Sequence, residues 1–104
     1  MSLLAAGLIA LNCTPALPFY CENIHVGCAG RTRVQTEAFT VSGHQVLFDG
    51  GEIWQIRTTA DRDARILWHN DHQDWIRLEA DGRFSLRRYA PRAMMTRGMC
   101  RPKP

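Results

Sequence analysis

From residue 31 onward the chain is a succession of short apolar runs of period near two, each closed by glycine or aspartate, and this pattern restricts the fold class more than any other feature. Side chains of a strand alternate between two faces, so such a period builds sheets with one buried face, whereas a helix needs a repeat near 3.6. The runs are RVQTEAFTV (33–41), HQVLF (44–48), EIWQIRT (52–58), ARILWH (64–69), DWIRLE (74–79) and FSLRRY (84–89), with a last strand near 94–99. No segment sustains a helical period. Pro15, Pro18, Pro91, Pro102 and Pro104 all fall outside these runs, where a missing N–H costs a sheet nothing.

Two hairpins fix their own register. If Ala80, Asp81 and Gly82 form a three-residue loop with Gly82 in the left-handed position, Leu78 faces Phe84, Ile76 faces Leu86 and Trp75 faces Arg87. A two-residue loop would mix apolar and polar residues on each face, and register follows burial. The same reasoning at Asp49, Gly50 and Gly51 sets Val46 against Trp54 on the face of Phe48 and Ile56. Six or seven amphipathic antiparallel strands in one small domain bury their apolar faces best by curling into a barrel or half-barrel, an all-β meander.

The N-terminus reads as an export signal, with a short buried helix or strand belonging to the fold as the alternative. Residues 3–11, LLAAGLIAL, are uncharged and apolar but too short to cross a bilayer, which takes about 20 residues. Thr14 and Ala16 are small residues placed for cleavage before Leu17. The division expected is a leader over 1–16, one β domain over 17–100 and a disordered tail over 101–104, with no transmembrane segment in the mature chain and a periplasmic or secreted location.

Cleavage there would remove Cys13 and leave Cys21, Cys28 and Cys100, an odd number. Six residues separate Cys21 from Cys28, which suits neither a redox centre nor a zinc knuckle. A structural bridge from Cys28, or from Cys21, to Cys100 is the expectation.

Charge is uneven. From Arg77 onward eight basic residues stand against two acidic ones, net +6, and the first 76 residues are net −3. Clustered guanidiniums at Arg83, Arg87, Arg88 and Arg92 suit an anion or nucleic acid. Twelve arginines against a single lysine also fit the codon bias of a GC-rich genome, so the cluster is read first as a solvated strand face and nucleic acid is not the expected partner.

Chemistry-bearing side chains gather at one place, WHNDHQDW (68–75). His69, His72, Asp71 and Asp74 are the candidate ligands for a metal or the groups of a hydrolytic site. Asn70 and Asp71 are also turn formers, and the stretch lies between two strands, so a hairpin tip is the simpler reading. No serine or cysteine stands in an activated context, so no catalytic residue and no cofactor are assigned. Trp54, Trp68 and Trp75, with Arg87 and Arg88, are the candidate binding residues.

The layout of leader, short β meander and cysteines near both ends, Cys21 or Cys28 with Cys100, resembles the small periplasmic β-barrels that include the membrane-bound inhibitors of c-type lysozyme. The Ser-Gly loop of those inhibitors has only Ser42-Gly43 to correspond to it, so inhibition is not carried over. The function expected is a non-enzymatic exported binding module for a protein or an envelope polymer, with the metal or hydrolytic site at 69–74 and the arginine-rich anion surface as alternatives.

Overall fold

The structure, a computed structural model, describes residues 10–16, 19–21, 33–70, 74–88 and 94–103. Among them the chain forms only strands: β1 (Ala10–Pro15), β2 (Phe19–Cys21), β3 (Arg33–Gln35), β4 (Phe39–Ser42), β5 (Gln45–Phe48), β6 (Ile53–Gln55), β7 (Arg57–Asp61), β8 (Ala64–Trp68), β9 (Trp75–Leu78), β10 (Arg83–Arg88) and β11 (Met94–Pro102). Nine of them make one antiparallel sheet in the order β6-β5-β4-β1-β11-β10-β9-β8-β7, and β2 pairs with β3 apart from it. The two outermost strands, β6 and β7, are consecutive in sequence with Ile56 alone between them. A sheet whose two edges belong to one stretch of chain must curl until those edges meet, and the result is a nearly closed barrel. The Ile56 N–H donates to the His44 carbonyl at 2.8 Å, the last backbone bond on the β5 side before the stretch crosses to β8.

Both hairpins have the expected registers. Leu78 pairs with Phe84, Ile76 with Leu86 and Trp75 with Arg87, and Val46 pairs with Trp54. Gly82 and Gly51 take φ of 98° and 102°, the left-handed region that a side chain would strain. The inward faces meet in one core, in which Trp54, Phe39, Phe84, Leu67, Ile76, Leu78, Val41 and Val46 are almost wholly shielded. Phe39 meets Phe84 edge to face at 5.0 Å, and Phe48 meets Trp54 likewise at 4.9 Å.

Strand count differs from expectation, nine in the main sheet rather than six or seven. The run 33–41 divides because Arg33–Gln35 pairs with β2, whereas Phe39–Ser42 turns to pair with β1. The run 52–58 divides at Ile56 because its first half pairs with β5 and its second, extended to Asp61, with β8.

The C-terminal part of the apolar N-terminal run is a strand of the fold. Ala10–Pro15 lies between β4 and β11 in the middle of the sheet, burying Leu11 and Cys13. The bridge to Cys100 correspondingly comes from Cys13, its register partner, with an S–S distance of 2.04 Å, and not from Cys28 or Cys21. Cys28 lies outside the described residues, and Cys21 is placed only by its backbone in β2. The expected tail is also partly strand, since Arg101 pairs with Asn12, Pro102 with Leu11, and the Lys103 N–H donates to the Ala10 carbonyl at 2.9 Å. Cleavage after Ala16 would carry away β1 and Cys13 together, so a chain beginning at Leu17 cannot form this sheet.

Gly98 marks how tightly β11 is enclosed. A β-carbon there would run into the Thr14 carbonyl and sit 2.6 Å from the Phe84 ring. Gly98→Ala should cost about 1–3 kcal/mol as an overpacked site, read as a lower denaturation midpoint. The Cys13–Cys100 bond spans 87 residues, a closure worth about 4–5 kcal/mol in the chain-entropy model. Cys13→Ser together with Cys100→Ser should lower the unfolding free energy by an amount approaching that, read from chemical denaturation.

Candidate binding surface

The stretch that looked chemical is first of all a turn. The His69 N–H donates to the Asp74 carbonyl at 2.9 Å, the Asp74 N–H donates to Asn70 Oδ1 at 2.9 Å, and Asn70 Nδ2 donates to Asp74 Oδ2 at 3.0 Å. Asp74 is therefore buried as a turn-closing acceptor. The His69 ring stacks flat on Trp54, 4.7 Å between centroids at 7°, with Nδ1 3.4 Å from the Gln55 carbonyl oxygen. This stack covers the seam where β6 leaves off and β8 ends. His72 and Asp71 lie outside the described residues, and among the described residues no three His, Cys, Asp or Glu side chains gather closely enough to hold a metal ion.

The five candidate binding residues divide between the inside and the outside of the barrel. Trp54 belongs to the core, only 1% exposed. Arg88 follows Phe84 and Leu86 on the inward face of β10. Its guanidinium lies 5.3 Å from the Phe48 ring centroid and 5.4 Å from that of Trp54, and its Nη2 pairs with Glu52 at 2.5 Å. Glu52 also accepts from Trp54 Nε1 at 3.2 Å. The result is a lid of one guanidinium over the aromatic end of the core, its charge balanced at the rim.

Trp68, Trp75 and Arg87 point outward, and successive pairings align them. Arg57 is opposite Trp68, Trp68 opposite Trp75, Trp75 opposite Arg87, and Arg87 opposite Met95. A transverse band Arg-Trp-Trp-Arg-Met thus crosses five strands. Met95 is 43% exposed and the tryptophans are half-buried. Beside its Arg57 end opens a cavity of about 190 Å³ lined by Gln55, Ile56, Arg57, Trp68, His69 and Asn70. Trp68 is held in place by its Nε1, which donates to Thr59 Oγ1 at 2.8 Å.

The other arginines of the basic C-terminal half differ in how they are engaged. Arg83 pairs with Asp81 at 2.7 Å, and Arg77 pairs with Asp61 at 2.5 Å and Glu79 at 2.7 Å. Arg92 lies outside the described residues. The hydrogen bond and charge of Arg77 hold the Asp61 carboxyl below its usual 3.8. A carboxyl whose folded value is lowered contributes stability above that usual value and loses it as the pH falls through the lowered one. Arg87 and Arg97 make no ion pair among the described residues.

Sequence reasoning missed Arg57 and Met95 as members of the band. Arg57 stands just past the break at Ile56, and its neighbour across the sheet is known only once β7 is paired with β8. No family model, curated protein or solved structure matches the chain.

Arg87 and Arg88 should respond differently to alanine. Arg88→Ala removes a shielded cation–π contact and the packing of its stem, at a cost of about 1–2 kcal/mol in chemical denaturation. Arg87→Ala, at an exposed position, should change stability by no more than about 0.5 kcal/mol.

Proposed function

We propose that this protein is a small exported binding module without catalytic activity, and that it takes a protein or an envelope polymer on the outer Arg57-Trp68-Trp75-Arg87-Met95 band. The observation that carries this reading is the band itself. Two half-buried indoles, flanked by Arg57 and Arg87 and bordered by a cavity, lie in register on one outer wall, and aromatic and arginine residues are enriched at recognition surfaces. The barrel supplies rigidity because the opposite faces of the same strands are fixed in the core.

Export is supported by the buried Cys13–Cys100 bridge, since disulfides persist in oxidising compartments. No helix among the described residues is long and apolar enough to cross a membrane. An exported mature chain would have to keep residues 10–16, which N-terminal sequencing of the protein from its own host reads directly.

A second reading, an anion binder, is favoured by Arg97. It stands in the row next to the band, opposite Ser85, so Arg57, Arg87 and Arg97 share one outer face. Both readings are tested by titrating the protein with soluble peptidoglycan fragments and with an envelope protein extract, following tryptophan fluorescence. Saturable binding that weakens at least about tenfold in the Trp68→Ala, Trp75→Ala double variant supports the band, since base or ring stacking alone is worth that much per indole. A logarithmic salt slope near −3, as about three engaged phosphates give, would transfer the function to the anion reading. Unchanged binding by the double variant would remove the band from the mechanism.

A further inference from the structure

The strand order ends at β6 and at β7, and β7 has no strand on its outer side among the described residues. β7 ends the strand order and hydrogen-bonds only to β8, through a two-residue turn at Arg62 and Asp63 in which Arg62 takes φ 56°. The Ile56 N–H points away from β8, toward His44. Backbone groups alternate sides along a strand, so the N–H and C=O of Thr58 and Ala60 also point away from β8. Ala60 is exposed and Thr58 half-buried. Two donors and two acceptors therefore face outward in a straight row, the arrangement that templates an added strand.

The side chains of this edge carry charges of opposite sign at its two ends, so the edge is complementary to a reversed copy of itself. In Arg57-Thr58-Thr59-Ala60-Asp61 a two-fold axis through Thr59 sets Arg57 of one copy against Asp61 of the other, and Thr59 against itself. We propose that a second copy of this chain docks here, β7 against β7 in antiparallel register about Thr59, extending the sheet across two barrels. Thr58 and Ala60 of each copy then exchange four backbone hydrogen bonds. Arg57 and Asp61, which share the outer face, form two ion pairs, and opposite charges directly across a ladder stabilise it. Asp61 receives Arg57 of the second copy on Oδ1, because Oδ2 already holds Arg77. The contact is self-complementary and consumes the edge on both copies, so it closes at two and does not propagate.

Five paired residues make a small interface, so association belongs to the weak range. Sedimentation equilibrium of the whole chain over a series reaching about 1 mM should show a monomer–dimer equilibrium. Ala60→Pro removes one outward N–H and leaves the β8 ladder intact, and it should weaken dimerisation at least about tenfold. Arg57→Asp opposes two acids, and Asp61→Arg opposes two bases. Each variant alone should be monomeric, and an equimolar mixture should recover the dimer, because both cross-pairs are again opposite in sign. Near-UV circular dichroism of the tryptophans confirms that each variant has kept the barrel. A wild-type chain that stays monomeric throughout overturns the proposal. So does a dimer that survives Ala60→Pro, or a mixture that fails to associate.

Discussion

The pairing of β1 with β11 is the contact on which the rest of the barrel depends. On one side of it lie β4, β5 and β6, and on the other β10, β9, β8 and β7, each a run of local hairpins. Neither run closes a core alone. The β1–β11 ladder joins them at one boundary, and the single residue Ile56 joins them at the other. A covalent bond between register partners Cys13 and Cys100 fixes the first boundary, and burial of Ile56 beside the stacked Trp54 and His69 fixes the second.

Hairpins were legible in the sequence because the information needed to place them is local. Gly82 and Gly51 name the loop, the loop sets the register, and alternation says which face is buried. Non-local pairings carried no comparable signal. Leu11 and Cys13 sit in a run apolar enough to resemble a leader, and nothing within ten residues of them says that their partners are Val41 and Cys100. The Cys13–Cys100 bond is hidden for the same reason, since a leader over 1–16 would take Cys13 with it. Of the candidate surface, Trp75 and Arg87 follow from one hairpin, whereas Arg57 and Met95 need three further pairings before they join it.

Neighbouring residues of one type serve opposite ends here. Arg87 and Arg88 differ by one position, which on a strand is the difference between solvent and core. Composition counts both toward a basic surface, yet Arg88 is engaged by Glu52 and two aromatic rings, and only Arg87 remains to meet a partner. The same sorting separates Trp54 from Trp68 and Trp75. A period of two thus divides a seemingly uniform set of arginines and tryptophans into a structural group and an outward-facing group, without any change in residue chemistry.

The position of β1 also has a kinetic side. It is the first described strand to leave the ribosome, and its partner β11 is the last, so β1 stays half-paired until β11 emerges. The β7–β11 meander can form as it emerges, because its contacts are short in sequence, whereas the ladder that seals the barrel must wait for a loop of some 87 residues to close. During that interval Cys13 is a free thiol on an apolar strand with Cys21 and Cys28 nearby in sequence. The native bond can form only once β11 has brought Cys100 opposite Cys13, its register partner.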